Sequence, residues 1–344
     1  MALDDQPLFR WGVIGPGGIA NRFAGALAAV PGARLAAVFA RDAAKGQAYA
    51  QQWQRAGEAP TWVTTQLAEL LASAEVDAIY IATPHSHHGD YVRAALEAGK
   101  PVLCEKPLVT TRAEAQALVD LARSRGVFLM EALWTRFLPA YDLAGRLLRE
   151  GAIGELRAMQ SSFCFSAAYD PSHRNWNPAL AGGSLWDIGI YNLAVTRWVL
   201  QQFHGGVCPE PERIEVAATL APTGVDASVT ATLHFPGGVT SQFRCGFDAS
   251  SLNAFEAQGS TAALRFPVDF WQAEAVERVT RKAPVERLEA PFAVNGFEGE
   301  IAEAQACIRA GQLESARMPH AETLALAGWM DAIRAQFPGG VNKA

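Results

Sequence analysis

A glycine-rich stretch near the start of the chain, Gly15-Pro16-Gly17-Gly18-Ile19-Ala20, restricts the possible folds more than any other feature. It follows an apolar run, residues 9–14, that predicts a buried strand, and it precedes residues 19–29, which predict a helix. Such a turn lets the backbone approach a diphosphate closely and points the helix N-terminus at the negative charge. A tight turn without a ligand is the alternative that the motif alone leaves open. The predicted dinucleotide contacts from this G-x-G-x-x-A pattern are Gly15, Gly17, Gly18, Ile19 and Ala20.

The stretch from residue 9 to about residue 130 alternates between strand-like and helix-like segments. Further strands are predicted at 34–39, 61–63, 76–82, 102–104 and 127–130, with helices at 88–98 and 112–125. Strands that alternate with helices of about 10 to 15 residues indicate βαβ units and a parallel sheet. Residues 1–130 are therefore predicted to form an α/β, doubly wound Rossmann domain, which supports the dinucleotide interpretation.

The pattern changes after residue 130, and residues 131–344 are predicted to form an α+β domain. Residues 227–235 and 239–247 alternate between apolar and polar side chains around a Pro236-Gly237-Gly238 turn, which indicates an antiparallel hairpin with one buried face. Further strands are predicted at 156–165, 254–266 and 272–290, and helices at 139–150, 185–200, 297–310 and 320–335. We expect an open, mostly antiparallel sheet with helices on one face, which leaves the other face for a partner subunit.

Charge and cysteine usage exclude several classes of protein. The formal net charge of −6 gives no electrostatic reason to expect nucleic acid or an anionic membrane as a partner. The five cysteines are scattered without C-x-x-C spacing, which fits a reducing compartment. Residues 1–7 are polar and acidic without a signal-peptide core, and no run approaches 18 apolar residues. The sequence therefore predicts a cytoplasmic protein.

The end of the second predicted strand indicates which dinucleotide binds. An acidic residue at this place bonds the ribose 2′-hydroxyl of NAD, but the chain has Ala40, followed by Arg41 and Asp42. Arg41 is suited to pair with a 2′-phosphate, so NADP is the predicted cofactor. The alternative is NAD, with Asp42 acting as the acid in a shifted register.

Two polar motifs follow strands at the carboxyl edge of the predicted sheet, where cofactor and substrate meet in such folds. The first is Thr83-Pro84-His85-Ser86-His87-His88, and the second is Glu105-Lys106-Pro107, whose proline is a candidate for a cis peptide bond. The histidines have no matched carboxylate spacing, so no metal site is predicted. A helix-start turn without chemistry is the alternative for the first motif. The predicted cofactor contacts are Thr83, Pro84, His88, Glu105 and Lys106.

A second glycine-containing stretch, residues 182–191, carries candidate catalytic side chains. Asp187 and Tyr191 are four residues apart and so share one face of a predicted helix. Gly182 and Gly183 let the chain pass close to another group, and we interpret that group as a nicotinamide. Oxidation of an alcohol needs a group that accepts the hydroxyl proton, and a free tyrosine, with a pKa near 10, is a weak acid. A lysine ammonium about 4 Å away stabilises tyrosinate by roughly 4 kcal/mol at an effective dielectric constant of 20. Ordinary helix residues are the alternative for this pair.

These motifs occur in the order and at the separations of the glucose–fructose oxidoreductase/inositol dehydrogenase (Gfo/Idh/MocA) family, which the chain resembles over essentially its full length. Tyrosine at position 191 and the run Met130–Pro139 resemble the branch of dihydrodiol and NADP-dependent D-xylose dehydrogenases. The resemblance implies that Lys106, Asp187 and Tyr191 are catalytic, that Trp134 faces the substrate, and that Arg41 contacts the NADP phosphate. It also implies a homodimer formed through the sheet of the second domain.

The predicted activity is hydride transfer between NADP and a secondary alcohol, either the C1 hydroxyl of an aldose such as D-xylose or a trans-dihydrodiol. Tyr191 is the expected acid/base, with Lys106 as its charge partner and Asp187 as its orienter. The predicted substrate contacts are Trp134, Arg157, Trp176 and Tyr191, and core or solvent-exposed roles are the alternatives for Arg157 and Trp176. A sensor that has lost catalysis, and an oxidoreductase that retains NADP between two sugars, are the rival functions.

Overall fold

The computed structural model describes residues 8–339, which form two compact units. The first unit contains the described chain up to Phe137 together with Ala293–Leu324, and the second contains Leu138–Phe292 and the described chain from Ala325. This division differs from the predicted boundary at residues 130 and 131, because a late segment returns to the first unit. Residues 1–7, on which the prediction about a signal peptide rests, lie outside the described part.

Six parallel strands form the sheet of the first unit. They are β1 (Phe9–Ile14), β2 (Ala33–Phe39), β3 (Trp62–Thr64), β4 (Ala78–Ile81), β5 (Val102–Glu105) and β6 (Leu129–Ala132). Their order in the sheet is β3-β2-β1-β4-β5-β6, and every neighbouring pair is parallel. The predicted Rossmann sheet is confirmed. The strand order reverses direction between β1 and β4, and ligands of such sheets bind at the carboxyl ends of the strands at this point.

Helices connect these strands. They are α1 (Gly18–Leu27), α2 (Ala43–Trp53), α3 (Leu67–Ala72), α4 (His88–Glu97) and α5 (Arg112–Arg125). Helix α5 has the predicted bounds because both of its ends are capped. The Thr111 hydroxyl accepts the backbone N–H of Glu114 at 3.2 Å, and Gly126 follows the helix in the left-handed region at φ 66°.

Helix α8 (Glu298–Arg309) belongs to the first unit although it follows the whole second sheet in sequence. The Gln305 side chain accepts the indole N–H of Trp11, a fully buried residue of β1, at 2.9 Å. The Asn295 side chain donates to the backbone carbonyl of Arg22 at 2.8 Å. Contacts this distant in sequence leave no local pattern, so the sequence alone predicts this helix as part of the second domain.

The second unit contains an eight-stranded sheet with helices α6 (Pro139–Arg149) and α7 (Ile190–Phe203), and with the end of α9 (His320–Arg334). The strands are β7 (Leu156–Cys164), β8 (Arg213–Leu220), β9 (Asp226–His234), β10 (Thr240–Gly246), β11 (Phe255–Gly259), β12 (Ala263–Phe266), β13 (Ala275–Val279) and β14 (Glu286–Glu289). Their order is β14-β13-β12-β11-β7-β10-β9-β8, with β7 and β10 parallel and the other pairs antiparallel. The predicted mostly antiparallel sheet is confirmed.

The predicted hairpin is strands β9 and β10, and its alternation explains which face is buried. Val229, Ala231 and Leu233 are buried, whereas Thr230 is exposed. Helix α7 packs on β7 and β10, while α6 packs on β13.

Across residues 8–339, no helix combines the length and the apolar character needed to cross a membrane.

Candidate active site

The glycine-rich turn connects β1 to α1, and its glycines serve different purposes. Gly15 has φ 87°, and a Cβ there would lie 2.9 Å from the Thr83 methyl carbon, so only glycine fits against the end of β4. A Cβ at Gly17 or Gly18 would meet no atom closer than 3.9 Å. Helix α1 begins at Gly18 with no side-chain cap and no acidic residue in its first turn. Its first N–H groups therefore face open space that suits an anion.

Two further residues of the motif fix α1 in place. Ala20 is fully buried, and its carbonyl accepts the Tyr49 hydroxyl of α2 at 2.6 Å. Ile19 is half-buried on the same helix. The buried Ala20 thus joins the start of α1 to α2, and the predicted cofactor contacts of Ile19 and Ala20 stay predictions.

A cavity of about 390 Å³ within the first unit opens beside this turn. It is lined by the glycine turn and by the ends of β2 and β4, including Arg41, Thr83 and Pro84. The Thr83 hydroxyl oxygen is buried and has no hydrogen-bond partner within the described structure. A buried polar atom without a partner is uncommon in proteins, so this oxygen is available to a ligand. These features fit a dinucleotide.

Two cations line the same cavity at the end of β2. Arg41 is exposed two residues after the end of the strand, and Lys45 follows four residues later, in the first turn of α2. The carboxylate of Asp42 accepts the backbone N–H groups of Ala44 at 2.9 Å and Lys45 at 3.3 Å. Asp42 is therefore the N-cap of α2, which explains an acid at this position without a ribose contact.

Glu105 ends β5, and the protein itself engages both of its carboxylate oxygens. Oε1 accepts the Tyr80 hydroxyl at 2.6 Å, and Oε2 accepts the backbone N–H of Lys106 at 3.3 Å. Burial raises the pKa of Glu105, while the Lys106 charge opposes that rise. Lys106 is also buried, and its peptide bond to Pro107 is cis, as predicted. Lys106 therefore lies at the carboxyl end of a central strand within a carboxylate environment.

His88 links this lysine turn to the neighbouring strand. Its ring is fully buried, with one nitrogen 2.8 Å from the Pro107 carbonyl oxygen and the other 2.8 Å from the Thr83 carbonyl oxygen. A cofactor contact by this ring, as predicted from the sequence, would require one of these bonds to break. Across residues 8–339, no group of three or more His, Cys, Asp or Glu side chains is arranged to hold a metal ion.

Gly182 and Gly183 approach the protein's own chain, which changes the interpretation that they make room for a nicotinamide. A Cβ at Gly182 would lie 2.7 Å from the Asn175 carbonyl oxygen. A Cβ at Gly183, which has φ 126°, would collide with the Asp226 carboxylate. Close packing within the second unit therefore requires both glycines.

Asp187 and Tyr191 follow these glycines in a helix that starts irregularly. The sequence predicts one α-helix from Leu185, but residues Leu185–Gly189 form a π-helical turn before α7 begins. Single π-helical turns of this kind, which insert one extra residue into a helix, are frequent at functional sites. The Asp187 carboxylate accepts a hydrogen bond from the exposed Arg174 side chain at 3.1 Å. Tyr191 is buried in the first turn of α7, with its ring 5.7 Å from that of Phe163.

The two predicted substrate tryptophans are both packed against aromatic rings. In the first unit, the Trp134 ring lies 5.0 Å from the Phe297 ring, and the Arg22 guanidinium lies 4.7 Å above Trp134. In the second unit, Trp176 is buried 5.3 Å from the Phe247 ring and donates its indole N–H to the Ala168 carbonyl at 2.9 Å.

Arg157 is not brought to the other predicted substrate residues of the second unit. It is exposed near the start of β7, where it pairs with Glu155 at 2.5 Å. Phe163, which contacts Tyr191, lies six residues further along the same strand. At about 3.3 Å per residue, these two strand positions are roughly 20 Å apart. We therefore assign Arg157 to the surface of the sheet.

Three features of the site are not among the predictions from the sequence. Lys45 had a usable signal, because it is a second cation only four residues after Arg41 at the predicted cofactor edge. The stack of Trp271 on Phe163, with ring centroids 3.5 Å apart, depends on segments far apart in sequence. The contact of Asp226 with the glycine segment has the same long-range origin, so no local pattern reveals it.

Comparison with known proteins agrees with this geometry. Residues 9–133 match a family described as an oxidoreductase family with an NAD-binding Rossmann fold. Residues 141–265 match the Gfo/Idh/MocA C-terminal domain. The chain belongs to the Gfo/Idh/MocA oxidoreductase family. The resemblance stated from the motifs is thereby confirmed, as is the prediction of an NAD(P)-dependent oxidoreductase.

Individual members of the family resemble the chain over almost its full length. Trans-1,2-dihydrobenzene-1,2-diol dehydrogenase of Mus musculus is 35% identical over 332 residues, which cover 94% of this chain and 96% of that protein. Aldose–aldose oxidoreductase from Caulobacter crescentus, solved with glycerol, has a TM-score of 0.82 at 26% identity and covers 95% of this chain and 96% of its own. A 3-ketoreductase from Actinomadura kijaniata, solved with NADP and TDP-benzene, has a TM-score of 0.80 at 27% identity, with coverage of 96% and 98%.

Proposed function

We propose that this Gfo/Idh/MocA oxidoreductase is an NADP-dependent dehydrogenase that transfers hydride between NADP and a secondary alcohol of a sugar or a trans-dihydrodiol. The observation that carries the proposal is the cavity beside the glycine turn, which combines backbone N–H groups with the cations Arg41 and Lys45. A dehydrogenase that is 35% identical and a neighbour solved with NADP support it.

The cofactor would be held by the first unit. Its diphosphate suits the free N–H groups at the start of α1, and the unpartnered Thr83 hydroxyl offers a further hydrogen bond. Arg41 and Lys45 supply the positive charge that a 2′-phosphate needs, while Asp42 is engaged by its own helix. When bound, the nicotinamide accepts or supplies the hydride.

Tyr191 is the proposed acid/base. In the oxidation direction it takes the proton of the substrate hydroxyl, and in reduction it donates that proton to the new alkoxide oxygen. The positive charge of Lys106 favours the ionised phenol, and burial of Lys106 and Tyr191 strengthens such a charge effect. Asp187, fixed by Arg174, orients the reacting hydroxyl.

Substitution Arg41→Ala is expected to raise the Kd for NADP by at least about tenfold, because a charge-assisted contact to phosphate contributes roughly 1.5–3 kcal/mol. Fluorescence titration with NADP and NAD measures both affinities, and the Kd for NAD should change much less. Arg55→Ala, which removes another arginine of the first unit that contacts the Ala33 carbonyl, is the matched control. Equal weakening of NADP and NAD by Arg41→Ala would contradict a phosphate contact.

Initial rates of the purified protein test the activity. NADP and NAD are compared over aldoses, inositols and trans-dihydrodiols, with formation of NADPH or NADH as the readout. NADP-linked turnover of one compound class supports the proposal and identifies that class. Binding of NADP without turnover would favour a sensor, and cofactor retained through desalting would favour hydride exchange between two sugars.

We also propose that the protein is a cytoplasmic homodimer formed through the free face of the second sheet. The Asn192 side chain of α7 donates to Ser161 at 2.8 Å, so the adjacent residue of β7, Gln160, points to the opposite face with its cross-strand neighbour Gln242. The five cysteines, all within residues 8–339, form no disulfide bond, in keeping with a reducing compartment. A monomeric mass in light scattering at micromolar concentration would contradict the dimer.

A further inference from the structure

The start of the π-helical turn that contains Asp187 is hydrogen-bonded to a buried carboxylate from another part of the second unit. Asp226, at the start of β9, accepts the backbone N–H of Leu185 at 2.6 Å and the Ser184 hydroxyl at 2.9 Å, both through Oδ2. Ser184, which precedes the π-helical turn, makes no capping hydrogen bond with its own side chain. Asp226 therefore accepts the first backbone N–H of the turn as an N-cap residue would, although it is distant in sequence.

The chain packs closely around the Asp226 carboxylate. Asp226 is 1% exposed, and the backbone passes over its Oδ1 at Gly183 with φ 126°, where any Cβ would collide with the carboxylate. A side chain larger than hydrogen at Gly183 would displace either Asp226 or the start of the turn. The position of Leu185–Gly189 is thus tied to the position of one carboxylate.

Arg334, at the end of α9, completes the arrangement. Its Nη1 lies 3.4 Å from Asp226 Oδ1, and its guanidinium lies 3.7 Å from the centre of the Trp186 ring. Burial raises the pKa of Asp226, and the Arg334 charge opposes that rise. One guanidinium therefore contacts both the carboxylate under the turn and the residue next to Asp187.

We propose that Asp226 and Arg334 are positioning residues that hold the π-helical turn so that Asp187 and Tyr191 keep their productive orientation. The inference rests on the catalytic roles proposed above. Neither residue is assigned a contact with substrate or cofactor, and both act through Ser184, Leu185 and Trp186. Catalytic groups must be held within about 0.5 Å of their productive geometry, and a displacement of about 1 Å can cost 10²-fold in rate.

The substitution Asp226→Asn tests this role. It retains an oxygen for the Leu185 N–H but turns an amide N–H₂, which is a donor, toward the Arg334 guanidinium. We expect kcat to fall by about tenfold or more, while the KM for NADP stays within about twofold, because the cofactor cavity belongs to the first unit. Arg334→Met should give a similar loss, and Arg334→Lys, which keeps the charge, should recover part of it.

The matched control is Val229→Ala, which removes two buried methyl groups from the same strand and leaves the hydrogen bonds of Asp226 in place. It should lower Tm and leave kcat nearly unchanged. If Asp226→Asn and Arg334→Met lower Tm but leave kcat unchanged, as is expected of this control, the two residues are only structural and the inference is wrong.

Hydrogen exchange of the amides in residues 185–191 tests the inference without any substrate. The turn should exchange about tenfold faster in Asp226→Asn and Arg334→Met than in the wild type or in Val229→Ala, because the anchored end of the turn is released. Unchanged exchange in these residues would overturn the inference even if the activity proposal holds. Faster exchange with no turnover of any panel substrate by the wild type would instead support the anchoring and contradict the proposed function.

Discussion

Replacing Tyr191 with phenylalanine is expected to lower kcat by about 10²-fold or more, because general acid–base catalysis contributes at least about that factor. Phenylalanine keeps the ring that packs 5.7 Å from Phe163, so the buried shape of the site is retained while the proton-transferring oxygen is lost. NADP binding should survive, since the cavity that would hold it lies in the first unit. Steady-state kinetics and a fluorescence titration of NADP measure both effects.

Tyr141 is the matched control for this experiment. It is another buried tyrosine of the second unit, and its hydroxyl donates to the Phe270 carbonyl at 3.1 Å. Tyr141→Phe removes that hydrogen bond and should cost about 1–3 kcal/mol of the free energy of unfolding, with kcat nearly unchanged. A Tyr191→Phe variant that keeps its kcat, or a Tyr141→Phe variant that loses as much, would contradict the assignment of the acid/base.

The sequence predicts the parallel sheet of the first unit well because the signals for its strands are local. Each strand–turn–helix step is encoded by consecutive residues, as at Gly15, where the turn itself has a φ of 87° that favours glycine. Helix α5 is bounded by a threonine cap and a glycine stop, and both are visible in the sequence. The alternation in β9 likewise identifies its buried face.

The features that the sequence does not predict depend on contacts between segments that are distant in the chain. Gly182 and Gly183 resemble cofactor-binding glycines, but the groups that exclude a Cβ there are the Asn175 carbonyl and the Asp226 side chain. The π-helical turn adds a residue that a 3.6-residue period does not show. Arg157 has suitable chemistry for a sugar hydroxyl, but it lies toward the far end of β7 from the Tyr191 contact. Residue type and spacing therefore identify candidates, and only the sheet register decides which of them lie together.

The surroundings of Lys106 explain how one cation is kept in a buried position. Glu105 and Glu131 are both buried, and the Lys106 charge opposes the rise in pKa that burial causes in each of them. Glu131 accepts the backbone N–H of Leu108 at 2.8 Å, and burial raises its pKa to about 7. Lys106 thus sits beside two acids, one of which titrates near neutral pH, so its loss should alter the pH dependence as well as the rate.

Substitution Lys106→Met is expected to lower kcat at neutral pH by roughly 10²- to 10³-fold, because a nearby ammonium stabilises tyrosinate by about 4 kcal/mol before the cost of desolvation is subtracted. Removing a positive charge favours the protonated phenol, so the pKa seen in the oxidation rate should move to higher pH. The variant should therefore regain part of its activity as the pH rises from 7 to 10, whereas Tyr191→Phe should not. Profiles of kcat against pH for both variants measure this difference.

Lys100→Met is the control, because Lys100 is a half-buried lysine of the same unit whose ammonium donates to the Ser73 carbonyl at 2.6 Å and the Val76 carbonyl at 2.7 Å. Its loss should lower Tm without moving the pH profile. If Lys106→Met shifts the profile to lower pH, or lowers kcat only a few-fold, the lysine does not act on the tyrosine. The proton would then have to pass through another group, and Asp187, whose carboxylate is fixed by Arg174, would be the residue to test next.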